Sequence, residues 1–328
     1  VRDRFYGVEM HVITGPETAA VLAASLKTEI RRVFVGGDAV LDLLLAGFFG
    51  GLHVLIEDIP GVGKTTLARG LSLSAGMDFG RVQFTPDLLP GDISGVTVWS
   101  QESRSFVFKA GAIMHQFILA DEVNRASSRT QAALLEAMQE MSVTVDGTTY
   151  PLPDPFMVVA TQNPLTFTGT FPLPEAQIDR FGLTLSLGYP GEAAEMAILN
   201  RYYEESPFSA INPVCDGNEI KAVRSLVRAI RVDDKVKLFL IAIADKTRRH
   251  PFLRLGMSPR ATQHLMRAAQ ANAVLQGREY VVPEDVIAVA EPCLKHRLVP
   301  TAEARMENKT TSEVVEEIMR TIPKPAGY

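Results

Sequence analysis

Residues 56–68, IEDIPGVGKTTLA, carry the clearest chemistry in the chain. A short apolar run ends near Glu57, a glycine-bearing turn follows, and Lys64-Thr65-Thr66 opens a helical pattern. Gly61 and Gly63 let backbone N–H groups converge on an anion without side chains in the way, and the start of the helix adds a favourable dipole. Lys64 has the reach for β- and γ-phosphates, and the Thr65 hydroxyl is a ligand that magnesium accepts. The expected phosphate-binding turn is therefore Pro60, Gly61, Val62, Gly63, Lys64, Thr65 and Thr66. Asp58 stands where such a turn usually has its first glycine. An acid beside phosphates lowers affinity unless it points away.

A second group of residues supplies what phosphoryl transfer needs beyond a cradle. FILADE places Asp121 and Glu122 at the C-terminal end of an apolar strand pattern, where α/β sheets put their ligands. Neighbouring residues on a strand point to opposite sides, so two roles are expected. Asp121 is assigned to Mg²⁺ through water, and Glu122 to polarising the attacking water. Alone, two acids at a strand end are most often a solvated edge; after a phosphate turn they become specific. ATQNP gives Asn163, either a holder of the lytic water or a simple turn starter before Pro164. Arg260, after Ser258 and Pro259, opens a helix, an awkward place for a cation without an anionic partner. Arg180, in PEAQIDRF, is by its own pattern equally an ordinary surface ion pair.

An alternation of short apolar runs and helical patterns must position these residues. Core strands are expected over residues 53–57, 81–84, 117–121, 156–162 and 183–187. Residues 65–76 and 129–140 are expected helices between them, the second capped by Ser127 or Ser128. Two hairpins interrupt the alternation, one over residues 95–111 and one over 142–155, the latter around the turn signal Asp146-Gly147. The apolar stretch over residues 40–56 holds Asp42 and His53 and breaks at Gly50-Gly51, which reads as helix, turn and buried strand rather than a membrane span. The loop GYPGE at 188–192 marks a domain boundary: residues 1–190 form an α/β nucleotide-binding domain and 191–328 a helical one with a C-terminal tail.

Composition narrows the class. At 328 residues, 46% hydrophobic and 22% charged, two domains of a globular protein are expected. The first ten residues, VRDRFYGVEM, show no targeting pattern. Cys215 and Cys293 make neither a disulfide framework nor a metal cluster, which suits a reducing cytoplasm. A formal charge of -5 and short, separated basic clusters argue against nucleic acid as partner. The six histidines have no ligand spacing.

With these residues in hand the chain resembles the MoxR family of AAA+ ATPases. The resemblance runs from VFVGGDAVLDLLLAGFFGGLHVLIEDIPGVGKTTLA through FILADEVNRASSRTQAALLEAMQE and VVATQNPLTFTGTFPLPEAQIDRF to GMSPRATQHL and HRLVP. DEVNRA with TQAALLEAMQE is its most specific part. It implies a five-stranded parallel sheet of order 5-1-4-3-2, insert hairpins and a C-terminal helical lid. Lys64 and Thr65 then match Walker A, Asp121 and Glu122 Walker B, Asn163 sensor 1, Arg180 an arginine finger acting in trans, and Arg260 sensor 2 in the lid. Val35 and Gly36 are expected beside the adenine, although Gly37 replaces the family's usual glutamine. Some members share an acid at the position of Asp58. The resemblance further implies ATP and Mg²⁺ as cofactors, a hexameric homo-oligomeric ring, and chaperone-like remodelling of client proteins, often ones with a von Willebrand factor A domain. A magnesium-chelatase-like or nucleic-acid-coupled motor, and a nucleotide-gated scaffold with little turnover, are the competing readings.

Overall fold

Strands covered on both faces need apolar residues at every position, with odd and even residues serving different cores. The computed structural model, which describes residues 12–163, 170–201 and 207–325, shows this pattern in each central strand. The N-terminal VRDRFYGVEM, Pro164 and the YYEE that ends the pattern over residues 192–205 lie outside the described residues.

Helices α1 (Pro16–Arg31) and α2 (Asp38–Gly50) precede β1 (Val54–Glu57), and α3 (Lys64–Ser74) leads to β2 (Phe79–Gln83). A short α4 (Pro90–Ser94) introduces the hairpin of β3 (Gly95–Ser100) and β4 (Ser105–Ala110). Then come β5 (Phe117–Asp121), α5 (Ser128–Glu140) and the second hairpin, β6 (Ser142–Val145) with β7 (Thr148–Pro151). β8 (Met157–Gln162), the single turn α6 (Glu175–Ile178) and β9 (Leu183–Leu185) complete the sheet. The remainder is helical: α7 (Glu192–Arg201), α8 (Gly217–Ala229), α9 (Asp234–Arg248), α10 (Pro259–Leu275), α11 (Pro283–Leu294), α12 (Ala302–Met306) and α13 (Thr311–Thr321). A small ribbon of β10 (Leu253–Leu255) and β11 (Val299–Pro300) sits among them.

The sheet runs β2-β5-β8-β1-β9, all parallel, which is the expected order 5-1-4-3-2 when only its own strands are counted. Val54, Ile56, Phe117, Leu119, Met157 and Val159 face the core built with α1, α2 and α3. Leu55, Ile118, Ala120, Val158 and Ala160 face the other, with Leu134, Leu135 and Met138 of α5. Helices α8 to α11 and α13 join the first core, so helical and α/β parts share one apolar interior.

Local signals explain the boundaries. Gly51, at φ +65°, stops α2 in the left-handed conformation that glycine tolerates, which lets β1 begin three residues later. Ser127 caps α5 by accepting from the Thr130 N–H. Asp146 and Gly147, both at positive φ, make the expected tight turn. Two expected strands need correction: β2 spans Phe79–Gln83 rather than residues 81–84, and β9 ends at Leu185 rather than at residue 187. The backbone N–H groups of Leu187 and Gly188 turn to the Asp58 carboxylate instead of to a neighbouring strand. The two hairpins are joined, because the rings of Phe108 and Tyr150 stack with centroids 3.8 Å apart.

Candidate functional site

Between β1 and α3 the chain turns through residues 58–63. Gly61 and Gly63 adopt φ of +86° and +90°, and left-handed residues of this kind build concave N–H surfaces that hold phosphate oxygens. No heavy atom lies within 4 Å of where a Cβ on Gly61 would stand, so the turn is open to a ligand. Lys64 Nζ donates to the Asp58 carbonyl at 2.7 Å, closing the turn from its helical side. Burial lowers the Lys64 pKa, while the nearby charges of Asp58, Asp121 and Glu122 oppose that effect. Thr65 and Thr66 follow on the first turn of α3, partly exposed. Such a cradle fits a triphosphate and the few protein oxygens that magnesium requires. Among the described residues no group of three or more His, Cys, Asp or Glu side chains forms a self-sufficient metal cage.

Asp58 does not oppose phosphate. Its Oδ2 accepts from the Leu187 and Gly188 N–H groups at 2.5 and 2.8 Å and from the Ser186 hydroxyl at 3.2 Å. Its Oδ1 accepts from the Ile59 N–H at 2.8 Å. Burial pushes its pKa up, but these four donors outweigh burial and hold it below the usual carboxylate value. The acid therefore ties the phosphate turn to the segment that leaves β9 for α7. Asp58→Ala strands several donors and is expected to cost about 2–4 kcal/mol of stability at neutral pH. Because the folded-state pKa is depressed, this contribution is present above the unfolded carboxylate pKa and fades as pH falls through the folded value. Chemical denaturation of both proteins from neutral to strongly acid pH checks it: the gap between them should narrow only in acid.

The two acids at the end of β5 are separated by backbone, not by strand alternation. Asp121 closes the strand, whereas Glu122 is left-handed at φ 55°, ψ 51°. Thr161, at the end of β8, holds both: its hydroxyl donates to Asp121 Oδ1 at 2.6 Å and accepts from the Glu122 N–H at 2.8 Å. Arg81 donates to Asp121 Oδ2 at 2.7 Å. Glu122 Oε2 accepts from Arg125 at 2.9 Å and from Gln83 at 3.2 Å. Asn163 is buried one residue beyond β8, and its carbonyl accepts from the Asn124 amide at 3.3 Å. Arg81, Gln83, Arg125 and Thr161 did not stand out in the sequence. Their available signals were polar residues two apart on β2 and a hydroxyl within an apolar strand.

A cavity of about 400 Å³ opens beside the phosphate turn, lined by Val35, Gly36, Val62, Gly63 and Thr66 together with Phe34, Tyr189 and Ile198. A Cβ on Gly36 would stand 2.4 Å from the Phe34 ring, so this close approach requires glycine. Val35 and Gly36 thus line a cavity that adjoins the phosphate turn. Phe34, Tyr189 and Ile198 were missed, since single apolar residues carry no distinctive pattern.

Arg180 and Arg260 are brought together, but elsewhere. Both line a second cavity with Gly51, Leu52 and His53, at the start of β1, whereas the phosphate turn leaves its end. Arg260 donates to the Gln139 side chain at 3.3 Å. Their relative placement is fixed by Asp179: the Ser258 hydroxyl, which caps α10, lies 3.0 Å from both of its oxygens, and Arg297 Nε lies 3.4 Å from Oδ1. His53 accepts from the Val158 N–H at Nδ1 and donates from Nε2 to the Met138 carbonyl, and burial pulls its pKa to about 4. The cavity wall is therefore neutral at His53 and cationic at the arginines.

Residues 53–183 match the ATPase family associated with various cellular activities (AAA), and residues 245–318 match the AAA lid domain. YeaC of Bacillus subtilis is 46% identical, covering 90% of this chain and 92% of its own. Chaperone MoxR1 of Mycobacterium tuberculosis is 36% identical, covering 94% and 86%. A crystal structure from Cytophaga hutchinsonii, of a protein classed as an ATPase, superposes with a TM-score of 0.88 at 35% identity, covering 94% of this chain and 97% of that one. Fold, phosphate turn, lid and relatives agree: the chain belongs to the MoxR family of AAA+ ATPases.

Proposed function

We propose that this protein hydrolyses ATP in a magnesium-dependent reaction completed by a neighbouring subunit, and that turnover remodels or activates a client protein. The observation that carries the reading is the separation of the catalytic groups within one chain. Lys64, Asp121 and Glu122 gather at the C-terminal end of the sheet, while Arg180 and Arg260 gather at the start of β1. β1 alone puts roughly 10 Å of strand between the two ends, at about 3.3 Å per residue. A second copy is what brings the arginines to a bound triphosphate, and repeated head-to-tail contact of this kind closes a ring. Six subunits are the number that the family resemblance suggests.

In this reading the N–H groups of residues 60–63 and the Lys64 ammonium hold the β- and γ-phosphates. The Thr65 hydroxyl and, through water, Asp121 are the residues that would hold magnesium, which would supply charge neutralisation on the phosphate oxygens. Glu122 exchanges one of its bonds to Gln83 or Arg125 for the attacking water and orients it, while Asn163 fixes that water from the adjacent strand. Arg180, with Arg260 beside it, stabilises charge on the phosphoryl group of the neighbour's nucleotide. Residues 1–190 serve as the nucleotide-binding domain and 191–328 as the lid. Asp58 links the phosphate turn to the segment entering α7, which gives nucleotide state a mechanical path to the helical part.

A relative named as a chaperone supports a protein client, and a partner with a von Willebrand factor A domain is the class that the family suggests. Two buried free cysteines fit the cytoplasm, and among the described residues no helix is long and apolar enough to cross a membrane. The test is the Mg²⁺-dependent ATPase rate per subunit against protein concentration. A rate that rises as subunits associate is expected; a rate independent of concentration sinks the shared site.

A further inference from the structure

Glu122 holds a backbone conformation, φ 55° and ψ 51°, that L side chains rarely adopt, and such a conformation persists only where its surroundings impose it. Thr161 fixes the N–H side of the residue. The chain beyond it passes through the short turn Val123–Arg125 to Ala126, and the constraint on that side comes from α5. One buried side chain there, Gln131, gathers the turn.

Gln131 is 1% exposed, and its Nε2 donates to the carbonyls of Val123 at 3.1 Å, Ala126 at 3.2 Å and Phe171 at 2.8 Å. Carbonyls only accept, so chemistry fixes which end of the amide faces them, and Oε1 is left buried without a partner. An amide that leaves its acceptor unsatisfied is costly to bury, so its donors are what the position uses. The first turn of α5 is itself anchored, because the neighbouring Thr130 hydroxyl donates to the Leu88 carbonyl at 2.7 Å. Asn124, also buried, extends the link. Its amide donates to the Asn163 carbonyl at 3.3 Å, and its own carbonyl accepts from the Phe171 N–H at 2.7 Å. The turn after Glu122, the residue after β8 and the chain at Phe171 thus form one hydrogen-bonded unit around Gln131.

We propose that Gln131 is a positioning residue for hydrolysis: by tying Val123, Ala126 and Phe171 to the first turn of α5, it holds the Glu122 carboxylate and Asn163 in register with each other. The inference rests on Glu122 being the base, as proposed above, and not on the ring. Gln131 is closed to solvent, so it acts through the backbone that carries Glu122 and not by contact with substrate. A thioether of similar length in its place keeps the volume and removes both N–H donors. The turn is then free to leave the left-handed conformation while the core beside α5 stays filled. Misplacing a reacting group by about 1 Å lowers turnover on the order of 10²-fold.

Gln131→Met is expected to lower kcat about 10–10²-fold while the equilibrium affinity for a fluorescent nucleotide stays that of the wild type. Gln131→Asn, which keeps an amide one methylene short of the carbonyls, should give a smaller loss of the same kind and serves where the methionine variant does not fold. Leu134→Ala opens the core on the same helix without touching the turn, so it should lower the melting temperature yet keep kcat within about twofold. The readout that a merely structural role would not move is non-additivity. In a Glu122→Gln background, where the base is already gone, Gln131→Met should cost less than about threefold in single-turnover phosphate release. An unchanged kcat in both Gln131 variants overturns the inference. So does an equal loss with and without Glu122, or a loss in Leu134→Ala as large as that in Gln131→Met, since either makes the effect one of stability alone. Wild-type turnover in Glu122→Gln by itself removes the general base and this inference with it, and that single variant tells the two failures apart.

Discussion

Arg180→Ala is expected to lower ATP turnover by about 10³–10⁵-fold while leaving nucleotide affinity intact. The side chain lies at the start of β1, away from its own phosphate turn, so its loss cannot disturb the cradle of Lys64 and the two glycines. On the proposed shared site, the variant loses charge stabilisation on the transferring phosphoryl group of the next subunit. Asp179, bonded to Ser258 and beside Arg297, keeps the surrounding backbone in place when Arg180 is truncated. The measurement is the rate per subunit over a range of concentrations, with equilibrium binding of a fluorescent nucleotide as control. Mixing Arg180→Ala with Lys64→Ala separates the two halves of the site. Restored turnover requires that one subunit's arginine serve another's nucleotide. An unchanged rate in Arg180→Ala alone would leave a self-contained ATPase, and the shared site would have to be abandoned.

Glu122→Gln should bind ATP as the wild type does and turn it over about 10²–10⁴-fold more slowly, the usual contribution of a positioned general base. The amide preserves the size of the side chain and retains an oxygen to accept from Arg125 and Gln83. Its N–H from the backbone still bonds to Thr161, so Asp121 keeps its geometry. Only the capacity to polarise water is removed. Single-turnover phosphate release, read beside nucleotide binding, distinguishes the two steps. Loss of binding together with turnover would mean that Glu122 shapes the site rather than acts in it. Turnover at the wild-type rate would remove Glu122 from the mechanism.

The Asp58 contacts bear on both results. The acid at the position of the first glycine is a structural link, so neither variant needs to be interpreted through a weakened phosphate turn. Its partners Ser186, Leu187 and Gly188 are about 130 residues away in sequence, as the separations of 128 to 130 show. No local pattern could reveal them. They follow from β9 lying beside β1 in the sheet.

The same division holds across the molecule. The phosphate turn, the acid pair after an apolar strand, the strands themselves and both hairpins were legible in the sequence. Each is set by neighbours within a few residues: glycines that tolerate positive φ, period-two burial, a capping serine, an Asp-Gly turn. The family resemblance added the strand order and named Arg180 and Arg260. Tertiary structure alone decided which way Asp58 points, that Thr161 and Arg81 clamp Asp121, and that the two arginines meet Lys221, Arg224 and Arg228 at the far end of β1. Those outcomes depend on which strands are adjacent and how α8 and α10 pack on the sheet. Residues of ordinary type, far apart in the chain, acquire their charge environment and their partners only when that packing forms, because electrostatic and hydrogen-bond energies depend on distances that sequence spacing does not encode.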